Sequence, residues 1–432
     1  MINYSFLRPQ KAAALKNFYN NPFEKKEKLT VETFSNAIIL PLQRFESDSL
    51  LFGRGGVVNN QGIYIDSSAI PNRVQGTYNY SYCERIDEKV VYCGFFVNQW
   101  GHFLIESISR LWYFLENDPA IDHYVFFVKN GEKTNISGNY REFLQLLGVW
   151  DKLVFINKPT QYKEVVIPEL SYSRMNYYSE QYKNLFKIIS LAAQTNLEES
   201  PSKIFLSRSK IKNIEKKEFG LKIIDSFFQK NGYTILHPEQ LTLTELITYL
   251  GRADEIATLS GSIHHNLLFT QDNKKIVIIE RSVLNNEIQV DINRMKSFDA
   301  IYVDANIPIY PVSVGVGPFI MAYNNYMKDF SHSRNYEPID KRIQSGKTLK
   351  KFFKQYMICY HNTYGFKLYM EDWMVKYYDL LNEGYNAGMN YFGKYLSNYS
   401  ILYIILSPRY WKNVILKTTF HFFESILKKI YS

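Results

Sequence analysis

Short apolar runs closed by Gly, Pro, Asn or Asp alternate along this chain with segments of helical period. Residues 1–30 hold a small helical pattern from Lys11 to Tyr19 and a charged stretch, and read as a peripheral lead-in. Apolar pieces at 37–41, 57–58 and 62–66, split by turn signals, predict strands and hairpins. Val90 to Val97 then reads as a buried strand, and His102 to Leu115 as a helix stopped by Asn117-Asp118-Pro119. A strand at 124–128, a helix at 142–147 capped by Gly148, strands at 153–156 and 165–167, and a helix at 179–196 complete the first run. A polar break at 197–202 separates it from a second one. There, strands at 204–206, 233–236, 256–259 and 276–279 alternate with helices at 217–230, at 244–250 and from Ile263 onward. Strand–helix alternation of this kind predicts an α/β fold with mostly parallel sheets.

Sheets so built bind ligands beyond the carboxyl ends of their strands. In the second run those ends carry Arg208, His237 with Glu239, the turn Ser260-Gly261-Ser262, and Glu280. Gly261 permits a sharp backbone and Ser262 suits an N-cap, so the turn predicts unpaired N–H groups at a positive helix end, a ready anion site. A capped helix with no ligand fits the same residues. Gly53-Arg54-Gly55-Gly56 lacks both a P-loop lysine and dinucleotide spacing, and reads as a turn. On the helix starting at His102, Glu106 lies one turn on and shares a face with it. A carboxylate between Ile105 and Ile108 is costly unless it has work or a partner.

At 432 residues the chain exceeds one ordinary core, so two domains are expected. Tyr (35) and Phe (30) are abundant enough for sugar-binding surfaces or simply a large aromatic core. The formal charge of +9 fits an anionic ligand or membrane surface. No nucleic-acid-binding signature accompanies it, and nucleic acid is not an expected partner. Cys83, Cys93 and Cys359 are scattered, without zinc or disulfide spacing. With no signal-like N-terminus and no apolar run near the ~18 residues of a membrane span, a cytoplasmic protein is expected. Residues 391–432 interleave six Lys/Arg and one acid with Trp, Tyr and Phe. That texture suits either a helix on an anionic membrane, at the inner face, or one packed on the first domain.

Asn98-Gln-Trp-Gly-His-Phe-Leu-Ile-Glu106 resembles the Asn-x-x-(Gly)-His-Phe-x-x-Glu/Asp motif of glycosyltransferase family 61. Ser207-Arg208, then Pro238-Glu239, Ala253-Asp254 and Gly261-Ser-…-Asn266-Leu-Leu-Phe269 resemble that family's second half, and the texture is that of bacterial capsular polysaccharide enzymes. The resemblance covers about Gly55 to Glu280. It implies a GT-B-like architecture: two Rossmann-like domains facing a cleft, here with a C-terminal helical extension. The expected division is 1–200 for the acceptor side, 201–325 for the nucleotide sugar, and 326–432 as helices returning to the first domain.

The implied activity is inverting transfer from a nucleotide sugar, typically UDP-linked, to an oligo- or polysaccharide acceptor. The sequence contains no Asp-x-Asp pair, so no metal is expected and cations and N–H dipoles must neutralise the leaving diphosphate. Arg208 and Ser260–Ser262 are the candidates for that role, Glu280 for the ribose hydroxyls, and His237 with Glu239 for the base pocket. Family members often carry a histidine before the glycine turn that is missing here; His264, His265 and Asn266 are candidates to supply the donor contacts instead. The base is expected in the first domain, either Glu106 or His102 with the other orienting it, Glu106 being favoured. Asn98 and Arg110 are the acceptor-side candidates, Arg110 alternatively pairing with Glu106. A non-catalytic scaffold of a polysaccharide assembly is the rival reading.

Overall fold

A computed structural model describes residues 2–364 apart from 20–22, 47, 134, 194, 198–200, 285, 310–311, 314 and 341. The C-terminal stretch at 391–432 therefore lies outside the described residues. Two α/β halves are joined by one continuous core.

The second half is a six-stranded sheet in which every pairing is parallel. Its strands are β1 (Ile2–Phe6), β2 (Lys203–Leu206), β3 (Thr234–Leu236), β4 (Glu255–Leu259), β5 (Lys275–Glu280) and β6 (Asp299–Asp304), in spatial order β3-β2-β4-β5-β6-β1. The runs Ile204-Phe-Leu206, Ile256–Leu259 and Ile276–Ile279 are buried throughout, as expected of strands covered on both faces. The chain leaves β2 for β3 on one side and returns at β4 on the other. The topological switch point, where such sheets open a crevice, therefore lies between the ends of β2 and β4. Those ends carry Ser207-Arg208 and Ser260-Gly261.

The lead-in is not peripheral. β1 pairs with β6, Ile2 opposite Ala300 and Asn3 opposite Ile301, so the first residues close the far edge of the second sheet. The helix that follows, α1 (Pro9–Tyr19), is tied there by buried ion pairs: Arg8 Nε to Asp304 at 2.7 Å and Lys11 Nζ to Glu280 at 2.8 Å.

In the first half the strand order is Arg54–Val58, Ile38–Gln43, Thr160–Pro168, Glu84–Phe95, His123–Phe127, Leu153–Ile156. The last four are parallel to one another, but the first two and Val31–Ser35 pair antiparallel, so only part of this sheet is Rossmann-like. Among the helices, α2 (Trp100–Ile105) continues past Glu106 as a 3-10 helix, Ser107–Glu116, that ends on left-handed Asn117.

Aromatic residues are concentrated where the halves meet. Phe103 and Phe143 stack edge-on at 5.2 Å, and Phe269 from the second half lies 6.1 Å from Phe143 and 5.2 Å from Phe186. The Glu142 carboxylate, from the first half, accepts from the N–H groups of Leu243 and Thr244 and so caps helix Leu243–Arg252 across the junction. Beyond residue 325, helix Asn325–Ser333 packs on β1 and β6, and α3 (Gly346–Tyr364) packs on the short strand Phe319–Ile320. Both stay on the second half; the expected return to the first is not seen up to residue 364.

Candidate active site

The turn after β4 is built around an arginine. Gly261 has φ 125° and ψ −170°, and a Cβ placed there would lie 2.6 Å from an Nη of Arg281. Only glycine leaves that space. Arg281 Nε donates to the Ser260 carbonyl at 2.6 Å, the Arg281 N–H donates to Ser260 Oγ at 3.1 Å, and the guanidinium lies 4.4 Å over the Phe319 ring. Gly261, not Ser262, occupies the cap position, and Ser262 begins a 3-10 helix running to Phe269. Its first N–H groups precede any intrahelical acceptor.

Arg208 stands across the switch point. Its Nε lies 3.1 and 3.3 Å from the two oxygens of Glu218, and the same carboxylate takes Arg281 Nη1. The expected free fork is thus partly engaged: two guanidiniums converge on one buried carboxylate, leaving one net positive charge at the strand ends. Burial lowers the Arg281 pKa to about 10, still protonated at neutral pH. Glu218 belongs to the two-residue strand Glu218–Phe219, where a helix was expected; left-handed Gly220 delays the helix to Leu221.

From the first half, α2 abuts this turn. A Cβ at Gly101 would meet the Ser262 Cβ at 3.0 Å and His265 Nδ1 at 2.8 Å. His102 follows directly. Its Nδ1 lies 2.9 Å from Glu106 Oε2, and Arg73 Nε lies 3.5 Å from Glu106 Oε1. Phe52 meets the His102 ring edge-on at 5.5 Å. Glu106 is 7% exposed and His102 is 24% exposed, so the carboxylate stands behind the imidazole.

Several expected site residues are elsewhere employed. Arg110 is fully buried and donates to the carbonyls of Pro168, Ser67 and Ala69; it holds loops together and neither faces an acceptor nor pairs with Glu106. Its burial follows from facing inward on the 3-10 helix, over Tyr92. Glu280 is sealed by Lys11 and unavailable to a ribose. Asn266 accepts from Trp100 Nε1 at 2.8 Å and joins the halves. His264 and His265 are buried; burial drives His264 well below the usual histidine range and His265 to about 3. Both are neutral walls, and they bring no positive charge to a phosphate. His237 is half-buried and Glu239 exposed beyond β3, on the same rim as Arg208, and Asn98 is exposed on the loop entering α2. Among the described residues no three His, Cys, Asp or Glu side chains gather as a metal site.

Residues 100–277 match the family model described as Glycosyltransferase 61. That stretch spans α2, the dyad and the switch-point turn. Over these residues the chain is similar to glycosyltransferase family 61. No curated protein matches the chain. Among solved structures, a glycosyl transferase family 9 protein from Veillonella parvula DSM 2008 is similar at 11% identity and a TM-score of 0.25, covering 64% of this chain and 98% of that one.

The site contains residues that the sequence did not advertise. Arg281 directly follows Glu280 at a strand end, and the same strand-end logic would have found it. Glu218 sits in a Lys-rich stretch of helical texture, with only Gly220 to betray the strand. Arg73 lies outside the matched residues, on an irregular loop, and nothing local marks it.

Proposed function

We propose that the chain is an inverting, metal-independent glycosyltransferase moving a sugar from a UDP-linked donor to a hydroxyl of a growing capsular or surface polysaccharide. One observation carries this reading: the His102–Glu106 dyad stands beside the Ser260–Ser262 turn, brought there by the Gly101 contact. A donor diphosphate at the switch point meets the turn N–H groups, Arg281 and Arg208, which take up the charge that develops as its bond to the anomeric carbon breaks.

We infer that His102, rather than Glu106, is the base. One Glu106 oxygen is hydrogen-bonded to His102, and the other is buried without a hydrogen bond, facing the Arg73 guanidinium at 3.5 Å. A carboxylate so held keeps the His102 proton on Nδ1 and leaves Nε2 as the acceptor for a proton. As the acceptor oxygen bonds to the anomeric carbon from the face opposite the diphosphate, its proton passes to Nε2. Asn98 stands at the acceptor side, and His237 with Glu239 on the rim where the nucleotide base would lie. We place the protein in the cytoplasm, at the inner face of the membrane.

His102→Ala is expected to lower kcat by about 10²–10⁴, with UDP affinity by titration calorimetry within a few-fold of the parent. Glu106→Gln should fall less far. Full transfer by His102→Ala would return the base to Glu106. Product stereochemistry by NMR and activity in EDTA check inversion and metal independence.

A further inference from the structure

We propose that the solvent face of α3 docks on an anionic lipid bilayer. Lys347, Lys351 and Lys354 are exposed at spacings i, i+4 and i+7, and so share one face of the helix. Ile358 continues the same line and is 43% exposed. Val316, 45% exposed, flanks the end of the helix, because Ser313 N–H donates to Tyr364 Oη and Tyr364 donates to the Gly317 carbonyl. The opposite face, with Leu349, Phe353 and Tyr356, is buried against Phe219, Phe319 and Ile309.

The sequence from 346 to 364 contains no acidic residue. Lysines near a helix N-terminus oppose the helix dipole, and acids would normally stand there. Lys347, Lys351 and Lys354 have no ion-pair partner among the described residues. A row of unpaired cations ending in exposed Ile and Val side chains suits a surface that offers phosphate headgroups over an apolar layer. Nucleic acid would match the charges and leave the apolar end unused. The chain's own residues 365–432 carry eight Lys/Arg against five Asp/Glu, the same sign as the face, and so are the poorer occupant.

The test is sedimentation of the full chain with vesicles of phosphatidylcholine alone or mixed with phosphatidylglycerol, at low and high salt. Binding is expected only with phosphatidylglycerol and should fall with salt. The triple variant Lys347→Gln, Lys351→Gln, Lys354→Gln should bind about a hundred-fold more weakly, and Ile358→Ser should weaken binding at every salt concentration. Circular dichroism of both variants should match the parent. Parental binding by the triple variant overturns the proposal and assigns the membrane to residues 365–432. Absence of binding by the parent, or tighter binding to duplex DNA than to vesicles, overturns it too. No sugar donor enters these assays, so their outcome is independent of the transferase reading.

Discussion

Replacing Lys11 by methionine separates the structural reading of Glu280 from the donor-binding one. Lys11 Nζ lies 2.8 Å from Glu280 Oε2 and also donates to the carbonyls of Ser282 and Leu284. The two side chains are 1% and 2% exposed. Lys11→Met keeps most of the apolar stem but leaves a buried carboxylate without its cation. Breaking a buried pair from one side costs about 3–5 kcal/mol. A ceiling exists, because a carboxyl group can escape by taking a proton: doing so at pH 7 costs an ordinary glutamate about 3.7 kcal/mol. The expected loss is therefore about 3–4 kcal/mol. The double variant Lys11→Met, Glu280→Met removes both charges and should recover about 2 kcal/mol or more. Urea denaturation followed by tryptophan fluorescence and circular dichroism reads all three proteins. A loss below about 1 kcal/mol for Lys11→Met, or a double variant no better than the single one, refutes the account. UDP titration of the folded double variant supplies the functional arm. Parental affinity is expected, and a ten-fold loss would restore Glu280 to the donor pocket.

Two further outcomes are expected. Gly261→Ala places a methyl group 2.6 Å from an Arg281 Nη at a φ of 125°, straining the turn by about 1–3 kcal/mol; UDP affinity should drop at least ten-fold, and unchanged affinity would remove the turn from the donor site. Burial raises Asp291 to about 6, against pulls in the other direction from the Tyr172 hydroxyl and the Met175 N–H. Its folded pKa lies above the unfolded one, so this group's contribution is fully present below about pH 3.8 and is lost as pH rises to about 6. Asp291→Asn should therefore stabilise by up to about 3 kcal/mol at pH 7.5 and by about 0.5 kcal/mol at pH 4, and equal effects at both pH values would contradict the burial argument.

Local pattern revealed what local forces determine. The strands 204–206, 256–259 and 276–279 were legible because doubly covered strands must be apolar throughout. His102 and Glu106 were legible because one helical turn brings them together, and the Ser260 turn because glycine there has a backbone reason. Lys11, Arg73 and Glu218 were not legible. Each owes its position to a partner far along the chain, Glu280, Glu106 and Arg281 respectively, and no local periodicity records such a meeting. The strand Asp299–Asp304 escaped notice because acids close both of its ends. Arg110 misled for the opposite reason. It shares a helical repeat with Glu106, yet the 3-10 winding after residue 106 turns it inward to three backbone carbonyls.

The pairing of Ile2–Phe6 with Asp299–Asp304 sets an order of events during synthesis. The strand made first has no partner until residue 304 has been added, which at about 5–20 residues per second is a wait of roughly 15–60 s. The first sheet, complete by Pro168, can fold meanwhile, whereas the nucleotide-side sheet remains open at one edge. Arg8 and Lys11 then arrive as the clasp that covers Asp304 and Glu280. A chain shortened at its beginning would thus be damaged in the sheet built from residues 203–304.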